Sequence, residues 1–162
     1  MTNKEFFIKT LETEAPVFIK VLKALPKDKG DYKPGKKART LSSIAIQLAM
    51  QPVMISKVIK TGLIDFSKQY EPSELDIAKL PDALQKNFGQ LKKDLKDISD
   101  ENWEADKAKM VWQGGEWSTP KYEMAWMFLF DAIHHRGQLS TYLRAVGGKV
   151  PGIYGGSADE PV

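Results

Sequence analysis

Met124-Ala-Trp-Met-Phe-Leu-Phe130-Asp131-Ala-Ile-His134-His135-Arg136-Gly137-Gln138-Leu139 is the stretch on which the fold turns. Its first seven residues are all apolar, so a helix built from them has no solvent face and must be covered on most sides by other elements. Ser118-Thr119-Pro120 predicts its start, a capping hydroxyl followed by proline at the first helical position. Gly147-Gly148, with Pro151 beyond, predicts its end near Val146. A helix of this kind needs partners, and the rest of the chain supplies them.

Phe6, Phe7, Leu11, Phe18, Val21, Leu22 and Leu25 recur every three to four residues and predict a first helix over about residues 2–24. Thr2 followed by Glu5 is the capping-box pattern. Pro16 should kink or split this helix, and Pro26 ends it. Residues 27–40 are polar and broken by Gly30, Pro34 and Gly35, with Tyr32 free to fold back on the helices. A second helix is predicted from near Ser42 to Lys60, capped by Thr40 or Ser42, disturbed by Pro52 and stopped by Gly62. A third runs from about Pro81 to Ile98 on Leu84, Phe88, Leu91 and Leu95.

Between these lie weaker signals. Leu63-Ile64-Asp65-Phe66 reads as a short irregular piece, and Pro72-Ser73-Glu74 as a turn or helix start. One helical turn is expected after Ser99, and Gly114-Gly115 allows a hairpin through residues 110–117. Strand-like alternation is sparse, so an extended sheet is not expected. The prediction is an all-α chain, a four-helix bundle forming one domain over residues 1–162. The tail after Pro151 reads as a loosely held loop.

Composition bounds the chemistry. The absence of cysteine removes disulfides, thiolate metal sites and a cysteine nucleophile. A net charge of +3, with Lys36-Lys37-Ala-Arg39 and Lys92-Lys93 set among acidic residues, reads as solvated surface and not as a nucleic-acid face. No apolar run reaches the ~20 residues of a membrane span, and the N-terminus has no signal-like apolar segment. A cytoplasmic protein is the expectation. No glycine-rich phosphate loop or Gly-x-Ser-x-Gly elbow occurs.

Candidate site residues stand out as polar groups in apolar stripes. Asp131 and His135 lie one turn apart on one helix face, the spacing at which two side chains grip a metal or pair with each other. His134 points about 100° away and cannot readily join them. A buried carboxylate must meet a cation or hydrogen-bond donors. A metal, Arg136, a lysine from another helix, or the amide of Gln47 would each answer. Gln47 and Gln51 share the otherwise apolar face of the second helix with Ile44, Leu48 and Ile55. Spacing alone favours a satisfied polar network. Gly137 would let another helix approach closely, and Gln138 could orient His135.

The run His134-His135-Arg136-Gly137-Gln138-Leu139-Ser140-Thr141-Tyr142-Leu143-Arg144 resembles the DinB-like (DinB/YfiT) family. The Gly147-Gly148-Lys-Val-Pro151 stop and the Tyr32-Lys-Pro34 loop before the second helix are similar too. The resemblance implies a four-helix bundle, frequent homodimers, and metal-dependent transferases or isomerases, some using a low-molecular-weight thiol. The family's metal site has three histidines, one on the second helix and a His-x-x-x-His pair on the last. The second member of that pair is His135. Its partner position holds Asp131, and the second-helix position falls at Gln47. The resemblance thus implies a variant Gln47, Asp131 and His135 site for a divalent ion (zinc, nickel or manganese), harder and richer in oxygen than three histidines. It would lie in a small-molecule pocket between the second and last long helices, with Arg136 or Tyr142 orienting an anionic substrate. The function implied is a metal-dependent transferase or hydrolase. The alternative is a non-catalytic dimeric binding or stress-related protein with a degenerate site.

Overall fold

The structure is a computed structural model, and it describes residues 1–67 and 76–162. The turn expected at Pro72-Ser73-Glu74 lies outside the described residues. In chain order the elements are α1 (Asn3–Ala24), α2 (Leu41–Thr61), β1 (Leu63–Asp65), a 3-10 turn (Ile77–Lys79), α3 (Leu80–Asp97), α4 (Asp100–Ala105), β2 (Lys107–Trp112), β3 (Gly115–Pro120) and α5 (Lys121–Ala145).

The helix starts follow from their caps. Thr2 Oγ1 accepts the Glu5 amide at 3.2 Å, and Glu5 Oε2 accepts the Thr2 amide at 2.8 Å, closing the box at the head of α1. Thr40 caps α2 through the Ser43 amide, and Ser99 caps α4 through the Asn102 amide. α1 and α2 run through Pro16 and Pro52 without a break, so neither proline splits its helix. α2 ends at Gly62, whose φ of 63° is a left-handed conformation that only glycine adopts without strain.

The four long helices close a ring around one core. α2 lies against α3 and α5, and α1 against the same two on the other side. Phe7, Leu11, Phe18, Leu48, Leu84 and Leu139 are among the residues almost fully removed from water there. Trp103 of α4 is also fully buried, and its indole N–H reaches Asn3 Oδ1 at 3.0 Å, so the polar end of the ring is not stranded. α2 is long and apolar enough to cross a membrane by length and composition alone, with a mean hydropathy of 1.3. Its apolar residues instead line this core, where Ile44, Leu48, Ile55 and Val58 are buried.

The all-α expectation needs correction, because the chain is mostly helical but carries a three-stranded sheet in the order β1-β2-β3. The expected hairpin is present and longer than its residues suggested: β2 pairs antiparallel with β3 from Lys107↔Pro120 to Trp112↔Gly115. β1, read as an irregular piece, pairs parallel with β2 through Leu63↔Lys109 and Asp65↔Val111. Only Ile64 of its three residues is buried, so the stretch is too short to display a period in sequence. The expected start of the last helix also shifts. Ser118 and Thr119 belong to β3, and Pro120 is itself the N-cap of α5 with no side-chain cap bond. Strand pairing has claimed the backbone that the Ser-Thr-Pro pattern assigned to a cap.

The tail is not loosely held. Asp159 accepts the Val150 amide at 2.8 Å and pairs with Arg144 at 2.6 Å, and Lys20 reaches Glu160 at 2.5 Å. Ser157 Oγ donates to Val150 O at 2.5 Å and takes the Glu160 amide at 3.0 Å. The Val150 amide, first, holds the Asp159 carboxyl below the usual carboxylate range, and Lys20 does the same for Glu160.

Candidate functional site

Four polar side chains descend one face of the second long helix and its entry: Arg39, Ser43, Gln47 and Gln51. Their spacing of four stacks them on one line. They face α5, where Asp131 and His135 occupy the same relation. The structure therefore brings Gln47, Asp131 and His135 together, as expected, and adds two residues that were not assigned to the site.

Asp131 is the centre. Its Oδ2 accepts the Gln47 amide N–H at 3.0 Å and a second amide N–H from Gln51. His135 Nε2 stands 3.3 Å from the same oxygen, an ion-pair distance whose N–H direction misses the hydrogen-bond line. The other ring nitrogen, Nδ1, faces Gln138 Oε1 at 2.8 Å, so Nδ1 is the donor and Gln138 fixes the ring. Gln47 Oε1 accepts from Arg39 Nη1. Arg39 is held in turn by Ser43, with Nε on Ser43 Oγ at 3.2 Å and Nη2 on Ser43 O at 3.1 Å. The chain of donors runs Arg39 to Gln47 to Asp131, with Gln51 and His135 closing on the same carboxylate.

The charges follow from these contacts. Burial opposes ionisation of Asp131, but the close contact and charge of His135, with the Gln47 and Gln51 amides, outweigh it and hold the carboxyl below the usual range. Contact with Asp131 raises the His135 imidazole above its ordinary value, against the effect of burial, and Gln138 adds to the rise. The pair is thus an imidazolium facing a carboxylate over a pH window that includes mildly acidic conditions.

A cavity of about 320 Å³ opens beside this centre. Its polar lining is the Arg39, Ser43, Gln47 and Gln51 ladder, and its apolar wall is Ile46, Met50, Met54, Phe66 and Phe128. That size is at the lower end of pockets that hold small organic ligands. Tyr142, the other face-mate of His135, donates from its hydroxyl to Arg39 O at 3.2 Å and meets Tyr32 edge-on at 5.7 Å between ring centres. Tyr32 does fold back on the helices, and it braces the loop that carries Arg39.

Two expectations fail here. Arg136 does not face the cavity: it is buried against Glu14, donates to the Tyr154 hydroxyl at 2.7 Å, and lies over the Phe18 ring at 5.2 Å. Gly137 meets no other helix, since a methyl group placed on it would touch nothing within 4 Å among the described residues. The basic run ending at Arg39 is exposed, as expected, and Arg39 in addition bonds to Gln47 and Ser43 at the edge of the site. Gln51 and Arg39 were both legible in principle. The polar residue at every fourth position from Arg39 to Gln51 is a ladder, and the expected site holds only its third rung, Gln47.

The donor set fits a divalent ion poorly. Zinc takes nitrogen, sulfur or oxygen lone pairs at ~2.0–2.3 Å. Here two amide N–H groups already face Asp131 Oδ2, and the Gln47 oxygen accepts from the guanidinium of Arg39, which places a positive charge at the rim. Among the described residues no group of three His, Cys, Asp or Glu side chains is placed to hold a metal.

Comparison with known proteins agrees with the architecture. A DinB-like protein from Bacillus cereus ATCC 10987 superposes with a TM-score of 0.71 at 19% identity, over 93% of this chain and 97% of that one. A DinB-like protein from Bacillus subtilis does so with a TM-score of 0.65 at 17% identity, over 87% and 92%. No curated protein matches the chain. The sequence model of the DinB family matches residues 1–161. The chain belongs to the DinB family.

Proposed function

We propose that the protein binds a small organic molecule in the cavity between α2 and α5, and that its polar centre works without a resident metal. The observation that supports this most directly is the direction of the donors at Asp131. Asp131 Oδ2 accepts from the Gln47 and Gln51 amides, Gln47 Oε1 accepts from Arg39, and His135 Nδ1 donates to Gln138. The four long helices serve in this reading as the family's bundle, and the ladder on α2 is the recognition edge.

One observation favours a second reading. His135 Nε2 is buried and makes no aligned hydrogen bond. In that reading Gln47, Asp131 and His135 hold zinc, nickel or manganese in a transferase or hydrolase. Elemental analysis of protein purified without added metal separates the two. The expected result is no stoichiometric metal and a melting temperature unmoved by zinc, nickel or manganese. One retained equivalent, or a clear rise in melting temperature, would overturn the metal-free reading. For the cavity itself, the uncharged fluorophore N-phenyl-1-naphthylamine should brighten on binding, and Met54→Trp should abolish that signal by filling the space. A probe that ignores the protein would sink the binding function.

We also propose a homodimer in the cytoplasm. Phe6, Trp126 and Phe130 form a row on α1 and α5 with successive ring centres 5.5 Å apart, and Phe6 and Phe130 are 49% and 60% exposed. A row of exposed aromatic rings supports a partner surface. Light scattering should give twice the monomer mass, and Phe130→Asp should return the monomer.

A further inference from the structure

We infer that the ligand of the α2–α5 cavity is an amphipathic anion, a small carboxylate with an apolar body, whose charge is read by Arg39. The inference rests on the binding function proposed above and adds the chemical class of the ligand. Among the described residues Arg39 is the only formally charged one in the cavity lining, and its four side-chain hydrogen bonds go to neutral acceptors, Gln47 Oε1 and the Ser43 hydroxyl and carbonyl. It enters no ion pair among the described residues. Arg39 is exposed at the cavity rim, and an arginine held in place by neutral groups presents an uncompensated charge to whatever occupies the space beside it.

The remaining valences point the same way. A guanidinium has five N–H donors, and one Nη1 hydrogen is left over after the bonds above. Ser43 Oγ accepts twice from Arg39, which leaves its own hydrogen to donate. Gln47 and Gln51 each give one amide hydrogen to Asp131 and keep a second. Against these donors stands one unused acceptor, Gln51 Oε1, on a side chain only 3% exposed. A rim of spare donors around a fixed cation suits an anion. Behind the rim, Met50, Met54, Ile46, Phe66 and Phe128 offer only apolar surface, so the rest of the ligand is hydrocarbon or aryl. Asp131, the carboxylate of this centre, is taken up by His135 and the two glutamines and forms no ion pair with Arg39.

The test is displacement of N-phenyl-1-naphthylamine by three probes of one chain length, octanoate, 1-octanol and octylamine, on the intact protein. Octanoate should compete at least about tenfold more tightly than the alcohol, and the amine should be weakest. Arg39→Met should abolish the preference for octanoate over octanol, and Arg39→Lys should restore part of it. Octanoate and octanol competing equally would overturn the anion assignment and leave the binding function standing. A preference for octanoate that survives Arg39→Met would overturn the role of Arg39, and tightest binding by octylamine would show that Asp131 is the charge being read. Failure of the fluorophore to bind at all would remove both the ligand class and the function beneath it.

Discussion

α5 carries two polar centres, and they begin at neighbouring residues. His135 turns toward α2 and joins Asp131, Gln47 and Gln51 beside an open cavity. Arg136 turns the other way, toward α1, and meets Glu14 and Tyr154. The second centre is closed: the Arg136 and Glu14 side chains are 3% and 6% exposed, the Tyr154 hydroxyl donates to Glu14 at 2.7 Å, and two aromatic rings lie over the guanidinium. The first is half open, with the Asp131 side chain 36% exposed. Charge is matched and sealed in one, and left adjustable in the other. The difference teaches that a sequence block can look like a single functional signature and still divide its residues between architecture and recognition.

The largest expected effect lies on the sealed side. Arg136→Met or Glu14→Gln alone should destabilise the protein by about 3–5 kcal/mol, because each leaves the other group buried without its partner. Chemical denaturation measures it, and the double variant Glu14→Leu with Arg136→Met should recover most of the loss. If either single change is neutral, the two centres do not differ as described. Conversion of the open centre comes next. Gln47→His with Asp131→His places three imidazoles where a carboxylate and an amide now stand. Zinc at a hundredfold excess over its Kd should then stabilise the variant by about 2.7 kcal/mol. No zinc response would show that the geometry of this centre cannot accept a metal even with the right donors.

Asp131→Asn should have the smallest effect, on the order of 1 kcal/mol once partial exposure is allowed for. Its signature is pH dependence. Asp131 has a depressed folded value, so its contribution is present above the ordinary aspartate value of ~3.9 and is lost as pH falls through the folded one. His135 has a raised folded value, so its contribution is full below ~6.5 and is lost as pH rises through the folded one. The pair therefore stabilises most between about pH 4 and 6.5, and a denaturation series should show a broad maximum there. In Asp131→Asn the maximum should flatten, and the His135 ring protons should titrate at lower pH in NMR spectra. A profile unchanged by the substitution would mean that the pair carries no stability.

The long helices were legible because period and caps agreed. Thr2 with Glu5, Thr40, Ser99 and Gly62 each mark a boundary by a local bond, and local bonds are written in neighbouring residues. β1 was not, since three residues joined to a strand far along the chain have no local signature. Ser118-Thr119-Pro120 misled for the related reason that pairing with β2 overrode a capping pattern. At the site, Gln47, Asp131 and His135 were visible as polar residues in apolar stripes. Arg39 was hidden by its setting, one basic residue after two lysines in a glycine-rich loop. The sides taken by His135 and Arg136 depend on which helix lies across from each, and that is a property of the whole ring.

The pairing of β1 with β2 also ties the cavity to the sheet. Phe66 closes one wall of the cavity, and its amide is tied to Val111 O at 2.7 Å. That bond joins residues on either side of α3 and α4, so one wall of the cavity hangs on a non-local contact at the edge of a short strand. Contacts of that kind belong to the low-stability end of local opening. Amide exchange at Phe66 should therefore be faster than at Val58 in the core of α2.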